Sequence, residues 1–298
     1  MKKAKKMLLA ASALALVSFG FGGCSGEEIG EESIINITKN SAKEAAAEIN
    51  EVNSISTGSK ASYLRNFVPV KYQHEQALCR ITMSKPGIST VKVDDNGNKT
   101  AGTGTDTKYA SVMGFGFNDK EANGKSNLYI VGVRMKPGTT DTPQAYVSYF
   151  EGVSGDDFNN GSSFGTEYGW NGTAWVASKD IKGTSSDFVD LNKDLCNASG
   201  VIDLYVGVMY DETSKKYTVS IINPSDTVNA IKDVDNAAFG AAVTGGQKLL
   251  NGVSLKEPDI ANPAKGYIGF YANVAPDANL IGTWNKTASK DAEVVEAE

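Results

Sequence analysis

The sequence has 298 residues, of which 41% are hydrophobic and 21% are charged, and a formal net charge of −6. This balance is typical of a globular chain and excludes a wholly disordered one. The acidic charge argues against nucleic acid as a partner, because proteins that bind phosphate backbones carry a basic face. The 31 glycines and 12 tyrosines favour strands joined by tight turns.

The first 24 residues have the layout of a secretory signal. A basic start is followed by an apolar run, Met7 to Val17, and then by small residues that lead to Cys24. The basic residues are Lys2, Lys3, Lys5 and Lys6. A transmembrane span is disfavoured, because it needs about 20 predominantly apolar residues. The segment therefore predicts export and removal of residues 1–23.

The end of this segment, Phe21-Gly22-Gly23-Cys24, resembles the lipobox of bacterial lipoproteins. In that family the cysteine is lipidated and becomes the first residue of the mature chain. Phe21 replaces the usual Leu, whereas Gly22 and Gly23 supply the small side chains that the signal peptidase requires. The resemblance implies a protein of the bacterial cell envelope that is anchored to the bilayer through acylated Cys24, at the outer membrane or cell surface. The alternative is an ordinary signal peptide cut nearby, which leaves Cys24 as a free thiol.

Residues 24–60 are acidic and lack aromatic side chains, which predicts a tether without a core of its own. Within it, Ser41-Ala-Lys-Glu44 matches a capping box, and apolar residues follow at helical spacing as far as Val52. A short helix that ends near Val52 is therefore expected. It serves either as a spacer or as a helix packed on the domain.

Residues 61–285 are predicted to form one β domain, and residues 286–298 an acidic tail. Short apolar runs alternate with turn residues, and each run offers one face to a core. The predicted strands are Tyr63–Val70, Leu78–Met83, Thr90–Val93, Tyr109–Phe117, Leu128–Met135, Ala145–Phe150, Leu204–Tyr210, Tyr217–Ile222, Lys248–Leu255, Tyr267–Val274 and Leu280–Trp284. Val228–Phe239 is the one helical candidate in the domain. An all-β antiparallel sandwich of jelly-roll type follows, with glycines inside strands at bends or close approaches.

The stretch Lys265 to Ala272 (KGYIGFYA) resembles a late strand of the concanavalin A-like and laminin G-like β-sandwiches. The strand pair Asp203 to Met209 and Tyr217 to Ile222 is similar to the preceding hairpin of that family. The resemblance implies sugar or protein ligands, held on a concave sheet or by rim loops, in some members with calcium. Function does not follow from fold alone.

A long polar stretch between Phe150 and Val176 contains the candidate ligand-binding residues. They are Tyr168, Trp170, Trp175, Asn159, Asn160 and Asn171. Flat aromatic faces stack on sugar rings, and amide groups hydrogen-bond to hydroxyls. The favoured alternative is that Trp170 and Trp175 flank a hairpin and pack on the core.

Four residues in Asp- and Asn-rich turns are candidate calcium ligands, because calcium prefers several hard oxygens within one loop. They are Asp94, Asn96, Asp156 and Asp157. The favoured interpretation is that these are ordinary turn residues, so the sequence predicts no cofactor, with calcium as the alternative.

Besides Cys24, an exported chain would contain two cysteines, Cys79 and Cys196. They either form a disulfide or remain free as small buried apolar side chains. His74 is the one histidine, which disfavours a zinc site and a catalytic triad.

Catalysis is not expected. Glycosidases of the concanavalin A-like fold resemble one another in a Glu-x-Asp-x-x-Glu strand, and Glu257-Pro-Asp-Ile-Ala-Asn262 lacks the second glutamate. The sequence therefore predicts a non-catalytic binding domain, of adhesin type, for carbohydrate or for a host or envelope protein. The alternatives are a structural or antigenic surface lipoprotein without a small-molecule ligand, and a glycoside-active enzyme.

Overall fold

The computed structural model describes residues 49–55, 62–70, 76–89, 91–93, 99–101, 110–122, 125–154, 166–177, 188–224, 231, 234, 237–255, 266–275 and 278–289. The strands in these ranges are β1 (Ile49–Ile55), β2 (Ser62–Val70), β3 (Ala77–Pro86), β4 (Val91–Val93), β5 (Lys99–Ala101), β6 (Val112–Ala122), β7 (Lys125–Met135), β8 (Pro143–Ser154), β9 (Glu167–Trp170), β10 (Trp175–Ala177), β11 (Val189–Asp190), β12 (Ile202–Asp211), β13 (Lys216–Ile222), β14 (Gln247–Val253), β15 (Gly266–Val274) and β16 (Asn279–Ser289). A turn of 3-10 helix covers Lys193–Leu195, and α1 covers Ala237–Gly245.

Two antiparallel sheets contain most of these strands. One sheet has the order β1-β16-β3-β12-β13-β14, and the other has the order β10-β9-β8-β7-β6-β15-β2, with β11 also paired to β8. Strands β4 and β5 form a separate pair. The predicted all-β antiparallel sandwich is confirmed.

The core lies between the two sheets, where the inward faces of their strands meet. Aromatic rings link the layers: Phe117 of β6 stacks on Tyr217 of β13 at 5.7 Å, and Phe270 of β15 stacks on Trp284 of β16 at 5.4 Å. These four side chains are at least nine-tenths buried. Aromatic and β-branched residues at alternate strand positions thus account for the sandwich.

Helix α1 covers the outer face of the six-stranded sheet and adds a second apolar cluster. Phe239 and Val243 of the helix pack against Tyr205 of β12. Gly207 allows this contact, because a Cβ at that position would lie 2.8 Å from Val243 Cγ2. The prediction that a strand glycine marks a close approach is therefore confirmed at Gly207.

The outer face of the eight-stranded sheet carries a third apolar cluster. Tyr146 of β8 and Tyr271 of β15 belong to it and are almost fully buried, and Phe188 packs against it. Both faces of the central strands are thus covered, so strand β7 is buried along ten consecutive residues. Such a strand has no polar alternation in its sequence, as in other sheets covered on both faces.

A strand lies within the segment that was predicted to be a tether. Residues 49–55 form strand β1, which pairs with β16 from Ile49↔Asn285 to Ile55↔Asn279. The six-stranded sheet therefore includes residues 49–55, and the predicted helix cannot continue to Val52. Pairing with the edge of β16 outweighs the local helical spacing, since tertiary context overrides propensity.

Two other boundaries also differ. Strand β16 continues to Ser289, which pairs with Ala77 of β3, so the predicted tail starting at 286 is partly strand. The predicted helix Val228–Phe239 instead begins at Ala237, while Ile231 and Val234 pack beneath it as non-helical residues. Four alanines in α1 supply the helix propensity that the preceding Asp- and Asn-containing stretch lacks.

No helix in the described ranges has both the length and the apolar character needed to cross a membrane.

Candidate functional site

The predicted aromatic residues come together on the hairpin formed by β9 and β10. In this hairpin Trp170 pairs with Trp175, and Tyr168 pairs with Ala177. Strand β10 is the end strand of the eight-stranded sheet, and β9 joins it to β8. The hairpin therefore places both tryptophans at the margin of the sandwich.

Asn171 closes the turn of this hairpin. Its backbone N–H donates to the Ala174 carbonyl at 3.1 Å, and its side-chain Oδ1 accepts from the Thr173 N–H, the Thr173 hydroxyl and the Ala174 N–H at 3.0, 3.0 and 2.9 Å. An asparagine that caps its own turn in this way explains why the chain reverses here. The Oδ1 of the amide group that was predicted to bind a ligand thus holds the turn, and the side-chain NH₂ is the part of that group that can face a ligand.

The aromatic rings of the hairpin are held by two tyrosines of the neighbouring strands. Tyr168 stacks on Tyr149 of β8 at 5.0 Å and 10°. Trp175 packs edge-on against Tyr149 at 5.2 Å and against Tyr129 of β7 at 5.8 Å. These contacts fix the orientation of Trp175, because edge-to-face and stacked pairs are favourable geometries.

Trp170 joins this ring cluster through Trp175. Its ring contact within the described residues is Trp175, at 5.2 Å and 59°. Both tryptophans pack against the inter-sheet core and remain partly exposed. The favoured interpretation, that they flank a hairpin and pack on the core, is confirmed.

The charged groups near the hairpin are the carboxylates of Glu167, at the start of β9, and of Glu151, near Tyr149. The exposed turn from Asn171 to Ala174 carries no charge. Burial, together with the nearby Glu151 carboxylate and Tyr168, raises the pKa of Tyr149 to about 12. Tyr149 therefore stays protonated at physiological pH and acts as a neutral support for the rings.

Sequence reasoning did not select Tyr149 or Tyr129 as parts of this site. Both lie on strands that were predicted correctly, and strand alternation places Tyr149 on the same face as Val147. The alternation of side-chain direction along β7 and β8 is the sequence signal that could have identified these two tyrosines as inward-facing. The pairing of β8 with β9, from Ser148↔Gly169 to Phe150↔Glu167, was not available from the sequence.

A polar network ties β11 to the first residues of β8. Arg134 Nε donates to Gln144 Oε1 at 2.9 Å, and Gln144 Nε2 donates to Asp190 Oδ1 at 2.7 Å. Lys136 Nζ donates to Asp190 Oδ2 at 2.7 Å and is the main reason that the pKa of Asp190 is lowered. The guanidinium of Arg134 also lies 3.4 Å from the centre of the Phe188 ring. The network fastens the segment that follows the aromatic hairpin to the sheet.

The two candidate disulfide cysteines are both free thiols. Cys79 is fully buried in the core, as expected for a small apolar side chain. Cys196 is half-buried, with Sγ 3.9 Å from the Thr140 carbonyl, and burial together with the Asp141 charge raises the pKa of its thiol. The disulfide alternative is therefore wrong for this structure.

The remaining predicted residues lie outside the described ranges. They are Cys24, Asp94, Asn96, Asp156, Asp157, Asn159 and Asn160. Among the residues that the structure describes, no three His, Cys, Asp or Glu side chains form a group able to hold a metal ion.

Comparisons with known proteins give a likeness among solved structures. No protein-family model matches the chain, and no curated protein matches it either. Among solved structures, the chain is similar to a legume lectin-like domain from Entamoeba histolytica, with a TM-score of 0.31 and 10% sequence identity. That likeness covers 83% of this chain and 88% of the other.

Proposed function

We propose that this chain is an exported, lipid-anchored protein whose β-sandwich binds carbohydrate, without catalysis, through the aromatic hairpin of β9 and β10. The observation that carries the proposal is the partly exposed pair of Trp170 and Trp175, whose rings lie 5.2 Å apart at the margin of the eight-stranded sheet. An exposed, uncharged turn adjoins the pair. Ring faces beside neutral polar groups match the apolar faces and hydroxyls of a sugar.

Preorganisation supports this role. Trp175 is held by Tyr129 and Tyr149, so a ligand that stacks on the tryptophan pair does not need to order these side chains first. Binding costs less when the receptor side chains are already fixed. The same argument applies to a flat protein ligand, because tryptophan and tyrosine are frequent anchors at protein interfaces. The absence of charged side chains from the exposed turn, Asn171 to Ala174, favours a sugar over a charged protein surface.

The anchor is the second part of the proposal. The basic and apolar N-terminal segment and the lipobox-like Phe21-Gly22-Gly23-Cys24 support acylation of Cys24 and a location in the bacterial cell envelope. Stable anchoring needs more than one acyl chain, which the lipoprotein pathway supplies. A membrane-bound array of domains would also raise the avidity of a site that acts through ring stacking.

Binding is tested with the full chain, expressed with its own N-terminal segment and extracted in detergent, on a broad glycan array and a panel of matrix proteins. We expect a set of glycans to bind and Trp170→Ala to weaken that binding by up to about tenfold, since one stacking contact contributes about 0.5–1.5 kcal/mol. Val176→Ala is the matched control, because Val176 lies on β10 and is 36% exposed, but its position alternates with Trp175 and faces the opposite side. Binding only to matrix proteins, or a glycan signal unaffected by Trp170→Ala, would reject carbohydrate binding at this hairpin.

The anchor is tested separately by Cys24→Ser. We expect the wild-type chain in the membrane fraction of the expressing bacterium, and the variant in the soluble exported fraction or held as uncleaved precursor. Metabolic labelling with a fatty acid should mark the wild type and not the variant. Equal labelling of both chains would contradict lipidation at Cys24.

A further inference from the structure

The turn of the aromatic hairpin holds a reactive pair of neighbouring residues, Asn171 and Gly172. We propose that Asn171 is a site of spontaneous deamidation, in which the Gly172 backbone nitrogen attacks the Asn171 side-chain carbonyl. The proposal rests on the hydrogen bonds of the turn and is independent of what the hairpin binds.

The Gly172 nitrogen is available as the nucleophile. Of the four N–H groups in the turn, those of Asn171, Thr173 and Ala174 are hydrogen-bonded. The Gly172 N–H has no partner in the part of the chain that the structure describes, and Gly172 is exposed to water. Apart from the two adjoining residues, no atom of the chain lies within 4 Å of the place where a Cβ of Gly172 would stand, so the surroundings of this residue are open.

The Asn171 side chain is arranged as the electrophile. Three donors, the Thr173 N–H, the Thr173 hydroxyl and the Ala174 N–H, point at its Oδ1. Fixed donors on a carbonyl oxygen stabilise the negative charge that develops there when a nucleophile adds to the carbon. The turn therefore supplies the elements of an oxyanion hole at the atom where the charge forms.

The reaction needs only water. The Gly172 nitrogen loses its proton and forms a bond to Asn171 Cγ, and the C–N bond of the side-chain amide breaks to release ammonia, which leaves a succinimide. Water then opens the ring at one of its two carbonyls. Opening at one carbonyl gives aspartate, and opening at the other gives isoaspartate, in which the main chain runs through Cβ. The net change is asparagine plus water to an aspartyl residue plus ammonia.

Asn197 provides a matched comparison within the same chain. Its Oδ1 accepts from the Ser199 and Val201 N–H groups at 2.9 and 3.0 Å, and it is exposed, as Asn171 is. The residue that follows is Ala198, whose N–H also has no partner in the described ranges. The two sites thus share the cap and the exposure, and the methyl group of Ala198 hinders the attack that Gly172 permits.

Isoaspartate at position 171 would disrupt the hairpin. The additional main-chain carbon lengthens a turn whose closure depends on the Asn171 N–H reaching the Ala174 carbonyl. The pairing of Trp170 with Trp175 follows directly from that closure. Deamidation therefore alters the position of the two rings, whereas aspartate with an unchanged main chain retains the same Oδ1 acceptor.

The test is to age the full chain in neutral buffer at physiological temperature and to map its peptides by mass spectrometry, with isoaspartyl methyltransferase as the probe for isoaspartate. We expect conversion at Asn171 to be at least about tenfold faster than at Asn197, a barrier difference of about 1.4 kcal/mol. The rate should rise with pH, because the attacking nitrogen must lose its proton. Conversion at Asn171 that is absent, or no faster than at Asn197, would overturn the proposal.

The structural effect is tested with Asn171→Asp, which carries the charge without the additional main-chain carbon. We expect tryptophan fluorescence and near-ultraviolet circular dichroism of the aged wild type to shift in proportion to its isoaspartate content, while Asn171→Asp retains the spectrum of fresh wild type. If the variant shows the same shift as aged protein, charge and not main-chain length is responsible, and the hairpin argument fails.

Discussion

The hairpin of β9 and β10 and the hairpin of β12 and β13 are built from the same local parts. In the first, Asn171 Oδ1 accepts backbone N–H groups of its turn. In the second, Asp211 Oδ1 does the same, at 2.8 and 3.1 Å. Each turn is flanked by a cross-strand aromatic pair: the ring centroids of Trp170 and Trp175 are 5.2 Å apart, and those of the second pair, Tyr210 and Tyr217, are 4.9 Å apart.

The two hairpins differ in their surroundings. Strands β12 and β13 lie inside the six-stranded sheet, with β3 and β14 on either side, and Tyr217 is 1% exposed. Strands β9 and β10 are short and end the eight-stranded sheet, so Trp170 and Trp175 remain partly exposed. The same local pattern thus forms part of the core in the middle of a sheet and a partly exposed aromatic pair at its margin. Position in the sheet, and not turn chemistry, separates a structural aromatic pair from a candidate binding pair.

The largest test of this difference is to truncate one aromatic residue in each hairpin. Tyr217→Ala should lower the free energy of unfolding by about 3–5 kcal/mol, because it leaves a cavity beneath Phe117 in the core. Trp170→Ala should lower the free energy of unfolding by about 1 kcal/mol, because this side chain is only partly buried. Urea denaturation monitored by circular dichroism measures both. Equal losses would mean that Trp170 is as much a core residue as Tyr217.

The sequence was sufficient to predict the inner strands of the fold, because alternation of apolar and polar residues with a period of two identifies strands that are buried on one face. Ten of the eleven predicted strands lie within or overlap β2, β3, β6, β7, β8, β12, β13, β14, β15 and β16, and the eleventh, Thr90–Val93, overlaps β4. The hairpin around Asn171-Gly172 was recognised as one interpretation of Trp170 and Trp175. Strand β1 was not, because Ile49–Ile55 lacks alternation and becomes a strand only through its partner β16.

The site was harder to predict than the fold. Whether a tryptophan pair is covered depends on which strands end a sheet, and the order of strands arises from contacts between residues far apart in the chain. The supports Tyr129 and Tyr149 are of this kind, since β8 meets β9 only after a long polar connection. Local sequence determines which rings share a face, and tertiary topology determines whether that face is open.

A second test acts on the turn of the aromatic hairpin. Gly172 has a φ of +96°, a conformation that side-chain-bearing residues rarely adopt. Gly172→Ala should therefore lower the free energy of unfolding by about 1–2 kcal/mol. Gly240→Ala is the control, because Gly240 lies in α1 with nothing within 4 Å of its Cβ position, and alanine should stabilise the helix by about 0.5–1 kcal/mol. A neutral Gly172→Ala would show that the turn tolerates another conformation.

A substitution at the left-handed residue of the turn between β12 and β13 should have a smaller effect. Lys215 has a positive φ of 57° in the turn between β12 and β13. Lys215→Gly relieves the left-handed conformation but increases the entropy of the unfolded chain, so the two contributions oppose each other. It also removes an exposed ion pair with Glu212 at 3.5 Å. We expect a net change below about 0.5 kcal/mol in the same denaturation assay, and a loss comparable to that of Gly172→Ala would contradict this balance.

The smallest expected effect is a difference in pH dependence between the two turns. Hydrogen bonds from the Ser214 and Thr213 N–H groups lower the pKa of Asp211, whereas Asn171 does not titrate. A carboxyl group whose pKa is lower in the folded state adds stability above its unfolded pKa, and that stability is lost as the pH falls through the folded pKa. Asp211→Asn keeps an Oδ1 acceptor and should lose less stability on acidification than the wild type. Melting temperatures measured from neutral to acidic pH compare the two chains, and other carboxyl groups cancel in the difference.

The reciprocal variant, Asn171→Asp, gives the turn of the β9–β10 hairpin the carboxyl group that the turn of the β12–β13 hairpin has. Because the same backbone donors face Oδ1 at position 171, we expect this variant to acquire an additional loss of melting temperature on acidification relative to the wild type. The two exchanges should therefore have opposite signs. If Asp211→Asn and Asn171→Asp both leave the pH profile unchanged, a charged acceptor adds no stability over a neutral one in either turn, and the predicted pH dependence is wrong.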